Sequence, residues 1–205
     1  FYFWVYLLCM ATKEILIEEL IRDGYLKTPL IIEAFKSVDR ADFVPDEYKN
    51  QAYENYPLPI GFGQTISQPL TVAFMLELLE AKRGEKVLDV GTGSGWQAAL
   101  LGYVVGDEGR VAAIERIPEL KNFAEKNISI LPFKTRILVI EGDGSKGYEK
   151  DAPYDKIIAA ASGEKIPDAW KEQLKIGGRI VAPIRDSIFV FDKIGKDEFK
   201  EKRYF

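Results

Sequence analysis

Residues 87–95 read VLDVGTGSG, and this stretch decides the fold of the chain. An apolar, β-branched run leads directly into three glycines, and an apolar helical pattern then covers residues 94–104. A strand, a glycine loop and a helix in this order are typical of the first unit of an α/β sheet that binds a nucleoside-containing ligand. The loop alone is weak support for binding, because close packing of a helix on a sheet also favours glycine.

The chain continues this alternation of strand and helix. The predicted strands are 86–90, 110–115, 136–141, 154–161, 178–184 and 187–195, and residues 199–205 are expected to begin another. The predicted helices between them are 94–104, 118–130 and 166–175. Because consecutive parallel strands need a crossover, the pattern predicts an α/β fold with a doubly wound, mostly parallel sheet that is flanked by helices.

The part of the chain before the sheet has a different pattern. Helices are predicted at 12–23, 29–38 and 70–79, and the Pro-, Gly- and aromatic-rich residues 40–65 are expected to form an irregular surface segment. Residues 1–9 are apolar but too few to span a membrane, and we interpret them as an extension of doubtful origin. We expect one domain over residues 10–205, in which 10–80 form part of the active site and 81–205 form the ligand-binding core.

Composition excludes several classes of site. The chain has 205 residues, one cysteine and no histidine, so it cannot hold a disulfide framework, a Ser/His/Asp triad or a His-ligated metal. We expect no metal. The net charge is −4, and no Lys/Arg block offers the basic surface that nucleic-acid phosphates need.

The glycine spacing and two acidic residues favour S-adenosyl-L-methionine over NAD as the ligand. The glycines fall as G-x-G-x-G with a bulky Trp96 after them, whereas a dinucleotide loop reads G-x-G-x-x-G to admit a pyrophosphate. Asp89 suits the ammonium group of a methionine moiety and would repel a pyrophosphate. Glu115, at the end of the next strand, is placed to accept hydrogen bonds from ribose hydroxyls, which both ligands carry. Asp143 in EGDGS, residues 141–145, is placed to accept one from the adenine amino group.

Two segments carry a resemblance to a known family. GFGQTISQPLTVAFMLELL (61–79), together with VLDVGTGSGWQAALL (87–101), closely resembles protein-L-isoaspartate (D-aspartate) O-methyltransferases. By that resemblance Ser67 corresponds to the active-site serine, and Thr65 and Ile66 to the strip that lies over the methyl donor. The donor-site residues that it implies are Asp89, Gly91, Gly93, Glu115, Asp143 and Gly144. Further matches in residues 156–184 cover a substrate-side loop.

The resemblance implies a function and a set of partners. The enzyme would transfer a methyl group from S-adenosyl-L-methionine to the α-carboxylate of L-isoaspartyl and D-aspartyl residues in damaged proteins and peptides, which initiates their repair. It would be a cytoplasmic monomer with no nucleic-acid partner and no membrane span. The sequence departs from the family at Phe62 and Trp96, where His and Tyr are common, and a final C-terminal strand is expected to be missing.

A chain without histidine can perform this reaction. An α-carboxylate with a pKa near 3.5 is already ionised at neutral pH, so no general base is needed and Ser67 has only to orient it. Ser67 can also be interpreted as the N-cap of the helix at 70–79, and both roles can hold together. Two alternatives stay open: a methyltransferase of the same fold that acts on RNA or a small molecule, and a donor-binding protein without catalysis.

Overall fold

A computed structural model describes residues 11–134 and 136–204. Residues 1–9, interpreted above as an extension, lie outside the described residues. The helices are α1 (Lys13–Arg22), α2 (Pro29–Ser37), α3 (Pro69–Leu79), α4 (Trp96–Val105), α5 (Pro118–Ser129) and α6 (Asp168–Gln173). The strands are β1 (Leu58–Gly61), β2 (Gln64–Ile66), β3 (Lys86–Val90), β4 (Arg110–Glu115), β5 (Ile137–Glu141), β6 (Tyr154–Ala159), β7 (Leu174–Ile184), β8 (Ser187–Lys193) and β9 (Phe199–Tyr204).

Seven strands form one twisted sheet in the order β5-β4-β3-β6-β7-β8-β9. The strands from β3 to β7 are parallel, and β8 and β9 add to the sheet as antiparallel strands. From β3 the chain runs outwards to β4 and β5 and then returns to β6 on the other side. This reversal opens a crevice at the carboxyl ends of β3 and β6. The predicted doubly wound, mostly parallel sheet is confirmed.

Apolar side chains cover both faces of the sheet, because successive residues of a strand point to opposite faces. Val87 of β3 belongs to a large cluster that includes buried residues of α1, α2, α3 and α4. Leu88, its neighbour, belongs to a second cluster with Trp170 of α6. Within the described residues, no helix is both long enough and apolar enough to cross a membrane.

The segment expected to be irregular, residues 40–65, is more ordered than its composition indicates. Two short 3₁₀ turns, Arg40–Phe43 and Asp46–Gln51, precede the hairpin of β1 and β2. The tight turn of that hairpin places Phe62 at φ 53°, a backbone conformation that residues other than glycine rarely adopt. Local patterns did not predict this hairpin, because both of its strands have only three or four residues.

Candidate active site

A cleft of about 580 Å³ lies at the carboxyl ends of β3, β4, β5 and β6. The glycine loop and the strand ends form its base, the turn and second strand of the β1–β2 hairpin together with Ser67 form one wall, and residues 160–167 form the other. The cleft brings together most of the predicted site residues: Thr65, Ser67, Gly91, Gly93, Glu115, Asp143 and Gly144. Ile66 is buried and lines a small recess of about 30 Å³ that Thr65 and Ser67 share.

The glycine loop needs glycine at two positions of the cleft. Gly91 and Gly93 have φ angles of 79° and 56°, where a residue with a side chain is strained. A Cβ atom on Gly91 would also lie 3.2 Å from Cβ of Ala161. The main-chain NH groups of Gly91 and Thr92 donate to the carbonyl oxygen of Ile114 at 2.9 and 3.1 Å. The loop is thus fixed to β4 and leaves its glycine surface facing the cleft.

Glu115 is held at the end of β4 by three main-chain donors. Its carboxylate accepts hydrogen bonds from the NH groups of Gly93 (2.9 Å), Arg116 (2.9 Å) and Ile117 (3.0 Å). The side chain is almost wholly buried yet lines the cleft. Because an ionised carboxylate has about four acceptor sites, it retains capacity for a ligand hydroxyl.

Asp89 lies under the glycine loop and does not line the cleft. Its Oδ1 accepts a hydrogen bond from Gln97 Nε2 at 2.6 Å, and its Oδ2 accepts one from Thr92 Oγ1 at 2.8 Å. The carboxyl group is fully buried, and this burial raises its pKa to about 6. From the sequence, Asp89 is expected to face the donor's ammonium group. The structure instead gives it a supporting position, which depends on Gln97, a residue that the analysis missed.

Asp143 is exposed at the rim, just after β5. Its Oδ1 accepts hydrogen bonds from Oγ of Ser145 at 2.7 Å and from the NH of Ser145 at 3.0 Å, and these bonds lower the pKa of the carboxyl group. The carbonyl oxygen of Gly144 accepts a hydrogen bond from Trp170 Nε1 at 2.8 Å. A Cβ atom on Gly144 would collide with Val90, so this turn can approach the strand ends only as glycine.

Ser67 lines the cleft but does not cap α3. The N-cap residue is Gln68, which makes no side-chain cap bond, and the NH of Leu70 donates instead to Asn55 Oδ1 at 3.0 Å. The capping interpretation of Ser67 was therefore wrong, because the cap comes from Asn55, which lies 15 positions before Leu70 in the chain. Among residues 11–134 and 136–204, nothing forms a hydrogen bond with the Ser67 hydroxyl.

Arg40 is a buried residue of this site that the sequence analysis missed. Only 2% of it is exposed, and within the described chain no carboxylate pairs with it. Its guanidinium group donates hydrogen bonds to four carbonyl oxygens, those of Ala52 (2.8 Å), Glu54 (3.3 Å), Tyr56 (3.1 Å) and Ser67 (3.0 Å). Burial lowers its pKa to about 10, which leaves it charged at neutral pH.

The same guanidinium group connects the Ser67 segment to the glycine loop. Its Cζ lies 5.3 Å from the ring centroid of Trp96, the first residue of α4. A cation over an aromatic ring is attracted to it, more strongly when both are buried. Trp96 also packs edge-on against Phe35 of α2. Position 96, where the sequence departs from the family, is therefore part of the core beneath the site.

Comparisons with known proteins agree with this geometry. The family model "Protein-L-isoaspartate(D-aspartate) O-methyltransferase (PCMT)" matches residues 11–204. A protein-L-isoaspartate O-methyltransferase of Ignicoccus hospitalis is 50% identical over 174 residues, which are 85% of this chain and 82% of that protein. A solved protein-L-isoaspartate O-methyltransferase matches with a TM-score of 0.82 and 30% identity, over 95% of this chain and 65% of the other.

A second solved structure supports the fold alone. It is a Plasmodium falciparum protein, described as a protein-L-isoaspartate O-methyltransferase in complex with S-adenosyl-L-homocysteine. The match has a TM-score of 0.81 over 94% of both chains, with 23% sequence identity.

Proposed function

The chain belongs to the protein-L-isoaspartate (D-aspartate) O-methyltransferase family, and we propose that its cleft methylates the α-carboxylate of L-isoaspartyl and D-aspartyl residues in damaged proteins and peptides, with S-adenosyl-L-methionine as the methyl donor. The set of residues that line the cleft is the single observation that supports this function at particular residues. It joins Ser67, whose hydroxyl has no hydrogen-bond partner within residues 11–134 and 136–204, to the glycine loop and to Glu115 in one space. The presence of Gly63, Gln64, Thr65 and Ser67 in its lining supports the proposal that residues 10–80 form part of the active site.

The residues of the cleft fit the methyl donor. Gly91 and Gly93 allow close approach of a ligand, Glu115 can accept hydrogen bonds from the ribose hydroxyls, and Asp143 can accept one from the adenine amino group. Thr65 and Ile66 lie in the strip that would cover the donor. When bound, the donor supplies an electrophilic methyl group on a sulfonium. The buried carboxylates near the loop disfavour the pyrophosphate of a dinucleotide.

Ser67 has the position and the chemistry to orient the methyl acceptor. Its hydroxyl can donate a hydrogen bond to one carboxylate oxygen of the isoaspartyl residue, so that the other oxygen points at the methyl group. Alignment of the attacking carboxylate oxygen with the methyl carbon, at a distance of about 3 Å, is a large part of the catalytic effect in such displacements. The nucleophile is the substrate carboxylate, because the sequence provides no histidine that could activate a serine.

The alternatives receive less support. A net charge of −4 disfavours RNA as the substrate. A protein that only bound the donor would have no use for the Ser67 hydroxyl at the cleft wall, on a segment whose main-chain carbonyl oxygen accepts a hydrogen bond from Arg40. We also propose that the enzyme acts as a monomer in the cytoplasm; its single cysteine is compatible with a reducing compartment, and sedimentation of the purified protein tests the monomer.

Transfer of labelled methyl to peptides tests the proposed function. An isoaspartyl peptide and its aspartyl twin are incubated with the purified chain and labelled donor. We expect base-labile label in the isoaspartyl peptide and background label in the twin. Equal labelling of the two peptides, or none in either, would contradict the proposal.

A further inference from the structure

A second groove, of about 450 Å³, lies between α6 and the edge strand β9. Its floor contains Phe189 and Phe191 of β8, whose rings stack with their centroids 6.0 Å apart and 18° between their planes. Asp168 and Lys171 of α6 form one wall, and Glu201 and Arg203 of β9 form the other. The proposed reaction uses none of these residues.

The strand register explains why this aromatic pair is left uncovered. Phe189 and Phe191 are two residues apart on β8, so both side chains stand on one face of the sheet. Their partners on β7 are Ala182 and Ile180, which are buried in the cluster that contains Trp170 of α6. Because α6 has only six residues, it covers β7 and leaves both rings of β8 half-buried.

The groove is continuous with the catalytic cleft. Lys165, Ile166 and Ile184 line both the cleft and the groove. A shallow depression that includes Ser145, Lys165 and Arg185 spans the border between them. A polypeptide that leaves the cleft past this border therefore enters the adjoining groove.

We propose that the Phe189–Phe191 groove binds an aromatic side chain of the substrate polypeptide, close in sequence to the isoaspartyl residue. The inference rests on the proposed function, which makes the substrate a chain that must leave the cleft. Offset stacking of an aromatic side chain on the two rings contributes binding free energy beyond that from the burial of its apolar area.

The charges around the groove favour an aromatic occupant over a charged one. Four acidic and four basic side chains line it, so the rim has no net charge with which to select a charged residue. Arg203 Cζ lies 6.0 Å from the ring centroid of Phe189, and its Nε donates to Ser187 Oγ at 3.0 Å. The guanidinium group of this side chain, which is 65% exposed, offers a second planar surface for an incoming ring.

The test compares isoaspartyl peptides that carry alanine at every flanking position with peptides that carry one phenylalanine at each position in turn. For the wild-type enzyme we expect KM to fall about tenfold when phenylalanine stands at one or two adjacent positions, with kcat unchanged. In Phe189→Ala this preference should disappear, while the all-alanine peptide keeps its wild-type kcat and KM. Phe189→Leu, which retains more of the packing, should lose most of the preference as well.

Ile194→Ala is the matched control. Ile194 is 62% exposed beyond the far end of β8 and outside the groove, so this variant should keep the full aromatic preference. The inference is wrong if no position of phenylalanine lowers KM, or if both Phe189 variants retain the preference. If wild-type enzyme methylates none of these isoaspartyl peptides, with or without phenylalanine, the proposed function itself fails, and this inference fails with it.

Discussion

Arg40 Nη2 donates a hydrogen bond to the carbonyl oxygen of Ser67 at 3.0 Å, across 27 positions of the chain. The same buried guanidinium group bonds to three carbonyl oxygens of residues 52–56 and lies over Trp96. One cation thus contacts both the cleft wall that contains Ser67 and the ring of Trp96, the first residue of α4. We therefore expect the relative placement of the proposed methyl acceptor and donor sites to depend on Arg40, as a positioning residue.

Arg40→Lys keeps the positive charge but changes the hydrogen-bonding geometry, so it tests the positioning role of Arg40 separately from its charge. One ammonium group cannot reach four carbonyl oxygens in a planar fork, so buried acceptors lose their partners. We expect kcat to fall about 10- to 100-fold and the free energy of unfolding to fall by about 2–4 kcal/mol. Steady-state kinetics and urea denaturation measure the two effects. Arg22→Lys, an exposed exchange on α1, should change neither, and unchanged kcat in Arg40→Lys would contradict the positioning role.

Ser67→Ala should affect turnover and leave stability nearly unchanged. Loss of a hydrogen bond to a charged acceptor corresponds to about 1.5–3 kcal/mol, or about a 10- to 100-fold loss of kcat on an isoaspartyl peptide, with donor affinity retained. Asn55→Ala is the matched variant, because it removes the true α3 cap and should cost about 1 kcal/mol of stability. A thermal melt in which Ser67→Ala loses more stability than Asn55→Ala would indicate that Ser67 caps α3.

Glu115→Gln should weaken binding of the methyl donor. The amide retains the shape of the side chain but offers only one acceptor oxygen, which cannot serve Gly93, Ile117 and the ribose hydroxyls together. We expect the Kd for S-adenosyl-L-homocysteine to rise about 10- to 100-fold in calorimetry. Unchanged affinity for that ligand, together with binding of NAD, would overturn the donor assignment.

The buried Asp89 should make stability fall as pH rises. Its pKa is raised from the ordinary 3.8 to about 6 in the folded chain, so between these values the folded state holds a proton that the unfolded state has lost. The group therefore favours folding fully below about pH 4 and loses that contribution as the pH rises through about 6. Relative to Asp89→Asn, the wild type should lose up to about 3 kcal/mol between pH 4 and pH 7.

Urea denaturation of both proteins across this pH range measures the difference, because their other carboxyl groups are the same. A difference in unfolding free energy that stays constant with pH would show that Asp89 titrates normally. A difference that grows in favour of the wild type would show that its pKa is lowered instead.

The sheet and the acidic strand ends were predictable because their signals are local. Apolar runs mark the parallel strands, and a residue just after such a run must lie at the carboxyl edge, which is where the structure places Glu115 and Asp143. The glycine spacing of residues 91–95 likewise reflects backbone geometry within one turn. These features need no knowledge of distant contacts.

The rest of the site depends on contacts between distant residues. Asn55 caps α3 in place of Ser67 only because the hairpin segment folds back on the helix. The local sequence does not distinguish Arg40 from an exposed basic residue. Its burial follows from the four carbonyl oxygens that surround its guanidinium group. Asp89 immediately precedes the loop, yet Thr92 and Gln97 engage its oxygens beneath the loop. No local pattern contains this information.

The central claim is that the enzyme orients an already ionised carboxylate and uses no general base. The dependence of kcat on pH, at saturating donor and isoaspartyl peptide, tests it most directly, with Asp89→Asn measured in parallel because Asp89 itself titrates near pH 6. We predict that kcat in Asp89→Asn stays level from about pH 8 down to pH 5 and falls only as the substrate is protonated near pH 4. A loss of kcat centred between pH 6 and pH 8 in both proteins, with folding and donor affinity unchanged, would contradict the account.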